Sequence, residues 1–394
     1  MQNDRGLFIS LVGILLGFGV LMVHSASITS WPTHFEQIYL SRHIIFVAVG
    51  VGAAVACASL PARFWDHGAP YLLVACVLLL VLVSVPGIGT KVNGAQRWLR
   101  IGPLSMQPSE LTKIALPLFV CRHLCKRGNR SFNWTFTLSM FLPVLLVIAL
   151  VFRQPDLGTA LFLAAGCVLV LFVGGWPLRR FVLAGCLLGP LLAYLVAMKP
   201  YQVRRITGFL AAWTDLEQAP YQLKQSLVSL GAGGLFGVGL GKGWQKLSFL
   251  PEANTDFVFA VVGEELGLVG TLSLVALWLA LYAAGLRLLR PLERNSFAFI
   301  GGFTLLTQLL MQAALNVAVA TALVPPKGIP HPLLSYGGSN LVVSLVSIGI
   351  IVSLSRAEIT SRSKGALDLA NREFLCAQRP EPSPHDAAAS LVGQ

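Results

Sequence analysis

Stretches of close to twenty apolar residues recur along this sequence, and each is about the length a helix needs to cross a hydrocarbon layer roughly 30 Å thick. Ten spans are expected: Leu7–Ser25, His43–Leu60, Ala69–Pro86, Leu111–Leu124, Thr137–Phe152, Thr159–Val173, Phe181–Met198, Leu266–Leu286, Phe297–Leu323 and Leu341–Leu354. Only 12% of the residues are charged, against about a quarter in ordinary soluble domains, and the mean hydropathy is +0.72. A water-soluble globule is excluded, and the expectation is an all-α, polytopic integral membrane protein. One membrane domain covers 1–356, with a long extracytoplasmic loop at 199–255 between the seventh and eighth spans. The remainder, 357–394, carries Pro380, Pro382 and Pro384 and reads as a disordered tail. The first span has only Arg5 as a basic flank and is followed by nine more, so it reads as retained, not as a cleaved signal.

The formal charge is +12. In a soluble chain this would suggest nucleic acid, but membrane proteins collect Lys and Arg in cytoplasmic loops, so nucleic-acid binding is not expected here. The larger share of basic residues, including Arg122, Lys126, Arg179, Arg180, Arg287, Arg290 and Arg294, falls on the side that holds both termini. That side is expected to be the cytoplasm. Most of the remaining cations sit in three exterior places: Lys91 to Lys113, Arg153, and the loop from Lys199 to Thr255. An anionic ligand at the outer leaflet would account for them, although long loops also translocate regardless of charge. The seven cysteines lie in or beside apolar spans or in the tail and imply no disulfide framework.

The long loop exceeds what a helix connection needs, and within it Tyr221–Leu230 sets Leu223, Leu227 and Leu230 at helical spacing, as an interfacial helix would. A glycine run follows from Gly231 to Gly243, fitting neither a Walker nor a Rossmann pattern. Asp256 comes next, in Leu250-Pro251-Glu252-Ala253-Asn254-Thr255-Asp256-Phe257, at the start of a helix that runs past Glu264 and Glu265. Thr255 or Asp256 could serve there as an N-cap; alternatively, Asp256 borders an aqueous groove. Gly263, Gly267 and Gly270 suggest close packing of that helix on a neighbour. Gln107-Pro108-Ser109-Glu110 with Lys113 opens another helix, where an i,i+3 ion pair is the plain structural reading. Arg153-Gln154-Pro155-Asp156 joins two spans, and Pro325–Ser339 is a kinked exterior segment.

At these residues the chain resembles the SEDS family of polytopic cell-wall proteins. The matching motifs are Asn93–Trp98, Gln107–Lys113, Gln154–Thr159, Tyr221–Ser226, Gly233–Gly241, Gln245-Lys246, Leu250–Gly267 and Pro325–Ser339, in family order and spacing. The resemblance implies a ten-span peptidoglycan glycosyltransferase in the inner membrane that polymerises lipid II at its outer face. It also implies Asp256 as the essential acid, a class B penicillin-binding transpeptidase as partner within divisome or elongasome assemblies, and support by Mg²⁺ or Mn²⁺. No organic cofactor is expected. Lys327 and Gly263-Glu264-Glu265 look more like the division branch than the elongation branch. The chain departs from the family pattern at Ala211-Ala212, Gln218, Pro220, Trp244, Asn254 and His331.

The chemistry of that activity has a sugar 4-hydroxyl attacking an anomeric carbon and expelling a lipid diphosphate. A carboxylate can take the hydroxyl proton and cations can stabilise the departing diphosphate. Asp256 is the expected base. The expected substrate-binding residues are Arg97, Lys113, Arg153, Arg204, Arg205, Lys246, Gln245, Glu110, Asp156, Glu264 and Ser339, and spacing alone defines no metal ligands. A lipid II transporter and a noncatalytic scaffold for the transpeptidase are the competing readings. No repeated halves, as transporters often have, are evident.

Overall fold

The computed structural model describes residues 2–27, 34–92, 95–102, 104–127, 134–198, 200–246 and 249–357. Residues up to Ser355 form one compact unit, and the expected tail lies outside the described residues but for residue 357. The helices are α1 (Gln2–Ser27), α2 (His34–Ser59), α3 (Ala62–Val83), α4 (Pro108–Arg127), α5 (Trp134–Arg153), α6 (Leu157–Val173), α7 (Leu178–Ala197), α8 (Pro200–Ala211), α9 (Tyr221–Ala232), α10 (Val258–Leu289), α11 (Phe297–Ala320) and α12 (Gly338–Leu354). The ten expected spans fall on α1–α7 and α10–α12. Of these, α1, α2, α3, α10 and α11 are each long and apolar enough to cross a membrane unaided. The chain is a mostly helical, multi-pass membrane protein.

The core forms where α3, α4, α5 and α6 meet: Leu80, Leu116, Val120, Met140, Val147, Leu163 and Val170 are buried together. On the opposite faces of these helices Leu78, Leu142 and Phe172 are exposed. Such side chains lose nothing against lipid tails, which are as apolar as leucine.

The long loop folds into α8, a 3₁₀ turn at Leu216–Gln218 and α9. Leu223 of the expected interfacial helix is fully buried, and the Ser226 hydroxyl donates to the Ala320 carbonyl at 2.8 Å, which fastens α9 to the end of α11. The helical frame also carries one small sheet. Between α3 and α4 lies an antiparallel sheet of β1 (Gly89–Val92), β2 (Ala95–Ile101) and β3 (Leu104–Met106) in that order. Its strands are three to seven residues long, and the longest, with Gln96-Arg97 and Trp98-Leu99 side by side, lacks the strict alternation that marks a strand. The Gln96 amide donates to the carbonyls of Val85, in the turn after α3, and of Gly89 in β1, at 2.9 and 3.1 Å.

Helix α10 is two arms joined at Gly267, whose φ of 66° and ψ of −161° are open to glycine almost alone. In a straight helix Gly263 and Thr271 would stand about 12 Å apart. Here a β-carbon on Gly263 would meet Thr271 Cγ2 at 3.5 Å, and one on Gly270 would meet Leu266 Cβ at 2.2 Å. The arms therefore fold back on each other. The longer arm, 268–289, spans about 33 Å and matches the expected span. The shorter arm leads back to Asp256. Of the three glycines read as packing sites, Gly267 makes the corner and Gly263 and Gly270 flank it.

Candidate functional site

Asp256 sits on a tight turn. Glu252, with φ 56°, bends the chain so that its carbonyl accepts the N–H groups of Thr255, Asp256 and Phe257 at 3.1, 3.1 and 3.2 Å. The Thr255 hydroxyl donates to Glu252 Oε2 at 2.8 Å. Asn316 of α11 ties the turn into the bundle by donating Nδ2 to the carbonyls of Asp256 at 2.8 Å and Ile329 at 3.0 Å. Asn316 lies four residues before the end of α11, which recesses the turn by about 6 Å. The segment after α11 closes over it: the Ser335 hydroxyl donates to the Thr255 carbonyl, and Tyr336 N–H donates to the Asn254 carbonyl at 2.8 Å.

The capping alternative is set aside. Phe257 occupies the N-cap position of α10 and no side chain caps it. Among the described residues the half-buried Asp256 carboxylate has no hydrogen bond or ion pair, and a β-carbon on Gly328 would lie 3.4 Å from Oδ2. Burial raises its pKa to about 7, Glu252 and Asp156 push the same way, and Arg205 opposes them. An acid poised there can exchange a proton near neutral pH.

Around this turn the expected residues fall into three groups. In the first, Arg97 on β2 donates Nε to the Gln154 carbonyl at 2.8 Å and Nη2 to the Pro155 carbonyl at 2.5 Å, with Nη1 3.7 Å from Asp156 Oδ2. Asp156 caps α6 by accepting Thr159 N–H at Oδ1 (3.1 Å) and takes the Gln107 amide at Oδ2 (3.2 Å). Ser339, at the start of α12, accepts Gln107 N–H at 3.0 Å and donates to the Ser105 carbonyl at 3.2 Å. Lys113 donates to both Glu110 oxygens, at 2.7 and 2.8 Å, and to Gln312 Oε1 at 3.2 Å, all buried. The i,i+3 pair read from spacing is thus part of a network that reaches α11.

The second group comprises Lys246, Gln245 and Glu264, which lie where the glycine run wraps the corner of α10. Lys246 is paired with Glu265, and Glu264 Oε1 accepts the N–H groups of Trp244 and Gln245 at 2.6 and 3.1 Å. In the third, Arg153 and Arg204 are exposed and, among the described residues, have no side-chain partner. Arg205 is half-buried and donates Nη1 to the Pro326 carbonyl at 3.2 Å.

Sequence reasoning missed α11 as a contributor. Thr304, Gln308, Gln312 and Asn316 repeat every four residues inside an apolar span, and that polar stripe was the available signal. His331, one of the departures from the family pattern, is fully buried against the Trp278 ring at 5.5 Å. Trp244, another, is exposed. The six described cysteines are free; Cys376 lies outside the described residues. Asn93 and Gly94 of the first motif also lie outside them. Among the described residues no three His, Cys, Asp or Glu side chains are grouped so as to hold a metal ion.

Fold and site define a class: a polytopic helical membrane protein that carries on a recessed turn an acid without a side-chain partner among the described residues, with Arg205 acting on it. The chain belongs to the FtsW/RodA/SpoVE family of cell cycle proteins, whose pattern matches residues 5–360. It is 38% identical to the probable peptidoglycan glycosyltransferase FtsW of Trichlorobacter lovleyi over 88% of this chain and 91% of the relative. It is 39% identical to the corresponding protein of Geobacter sp. strain M18 over 90% and 95%. Its fold matches a chain of a peptidoglycan synthase complex, solved to describe structural coordination of polymerization and crosslinking, with a TM-score of 0.72, 28% identity and coverage of 89% and 96%. It also matches the Thermus thermophilus rod shape determining protein RodA, with a TM-score of 0.64, 30% identity and coverage of 89% and 95%.

Proposed function

We propose that this peptidoglycan glycosyltransferase joins lipid II units into glycan strands at the outer face of the inner membrane, in cell division, with Asp256 as the general base. The observation that carries this reading is the Asp256 carboxylate: recessed, lacking any hydrogen-bond or ion-pair partner among the described residues, and raised to about 7. The acceptor's 4-hydroxyl gives its proton to Asp256 as its oxygen attacks the donor's anomeric carbon with inversion, and the bond to the lipid diphosphate breaks. Arg153 and Arg204, exposed and without side-chain partners among the described residues, suit the diphosphate, whereas Arg97, Lys113 and Lys246 are occupied by protein partners.

Mg²⁺ or Mn²⁺ belongs to the proposal only as an ion held chiefly by the substrate's diphosphate, since the described residues offer no three-ligand cluster. No step above is routed through it. The proposal puts both termini in the cytoplasm, with a class B penicillin-binding transpeptidase as the partner. Purified chain with this partner and lipid II tests the activity. Polymer that is lost in Asp256→Ala with folding intact supports the enzyme; movement of lipid II across vesicles without any polymer would instead make the chain a transporter.

A further inference from the structure

The ion pair between Lys246 and Glu265 joins the two ends of the segment whose tip is Asp256. Nζ and Oε1 are 2.6 Å apart, and neither side chain has exposed surface. Ser25, near the end of α1, donates its hydroxyl to the Glu265 oxygens at 2.8 and 2.6 Å. It accepts from Lys246 Nζ at its carbonyl (2.8 Å) and hydroxyl (3.0 Å). Gly241 N–H donates to Glu265 Oε2 at 3.1 Å. Backbone bonds complete the seam: Val238 and Gly239 N–H donate to the carbonyls of Glu264 and Glu265, each at 3.0 Å.

A pair with no exposed surface cannot touch lipid II, so Lys246 has no place among the diphosphate-binding cations. Nor is it explained by stability, because removing both charges from water offsets most of their attraction. Its evident effect is on chain path. From residue 249 the chain runs to the turn and comes back along the short arm of α10, about 12 Å long, to the point where Glu265 meets Lys246.

We propose that Lys246, Glu265 and Ser25 are positioning residues that clamp the base of this loop and hold Asp256 at the depth where its carboxylate meets the acceptor hydroxyl. The proposal rests on Asp256 being the base. A displacement of about 1 Å at a reacting group costs on the order of 10² in rate, so a loosened clamp acts on turnover while substrate contacts stay intact. It also lets water reach the carboxylate. The charged groups that act on it, Glu252 in its own turn, Asp156 at α6 and Arg205 on α8, remain in place.

The test measures kcat, KM for lipid II and the pH dependence of kcat on the full chain with its transpeptidase partner, for Lys246→Met, Ser25→Ala and Asp256→Asn. Lys246→Met is expected to lose at least tenfold in kcat with KM within twofold of the parent, and the acid limb of its pH profile moves below that of the parent. Ser25→Ala moves both quantities the same way by less. If Lys246→Met does not fold, Ser25→Ala, which keeps both charges, decides alone. Parental kcat and an unmoved acid limb in a folded variant overturn the clamp, as does a loss that appears only in KM. Asp256→Asn separates the two readings: if it is inactive while Lys246→Met is normal, only the clamp falls, and if it is fully active both fall.

Discussion

The Gly328 backbone borders the Asp256 carboxylate, and a β-carbon on Gly328 would stand in van der Waals contact with Oδ2, at 3.4 Å. Gly328 also has φ 65°, where an L side chain adds about 1 to 2 kcal/mol of strain. Gly328→Ala is therefore expected to reduce kcat about tenfold or more while the helical content by circular dichroism stays unchanged. An alanine variant with parental turnover would mean that the gap beside Oδ2 is not where the reacting groups meet.

The pH dependence follows from the same carboxylate. The base form of a group with a pKa of about 7 is lost as pH falls, so kcat should drop below pH 7. Glu252 raises this pKa and Arg205 lowers it. Glu252→Gln should shift the acid limb down and Arg205→Gln should shift it up, read from full pH profiles. The stability sign is opposite to that of a paired carboxylate. A folded pKa above the ordinary 3.8 makes ionisation cost stability increasingly from pH 4 to 7 and fully above. Asp256→Asn should accordingly raise the melting temperature more at pH 8 than at pH 5.

Much of the helical frame is legible in the sequence because a span needs only length and hydropathy, and α4 could be anticipated to borrow its polar start, with Glu110 and Lys113 inside it. Asp256 stands out because carboxylates are scarce near the spans. The fold-back of α10 is not legible, since Gly263, Gly267 and Gly270 at intervals of three and four also suit ordinary helix packing. The Lys246–Glu265 pair is hidden for a related reason. Its partners, 19 residues apart, meet only because the chain reverses at Asp256. Asn316 went unnoticed as a lone polar residue in an apolar run, although the stripe from Thr304 gives it a face.

That corner predicts a stability effect. A β-carbon on Gly267 would lie 2.4 Å from Gly237 N and 2.6 Å from Leu235 O, on a backbone conformation that alanine avoids. Gly267→Ala should lower the melting temperature by more than Gly175→Ala. Gly175 also has positive φ, but its β-carbon would meet open space. Equal melting temperatures would contradict the hairpin.

Arg153 and Arg204 supply a prediction about substrate capture. Exposed charges that steer an anion act through long-range fields that salt screens within about 10 Å at 0.1 M. Arg153→Gln and Arg204→Gln should raise KM for lipid II severalfold and flatten its dependence on ionic strength, with kcat little changed. Steady-state assays at two salt concentrations check this.

The most direct measurement is the rate of glycan polymerisation from lipid II by the purified chain with the proposed transpeptidase partner, parent against Asp256→Asn, at pH 8. Asn keeps the size of the side chain and removes its charge together with its ability to take a proton. Loss of polymer by a factor of about 10² or more, with lipid II still bound and the fold intact, is the predicted result. Polymer made at the parental rate would contradict it.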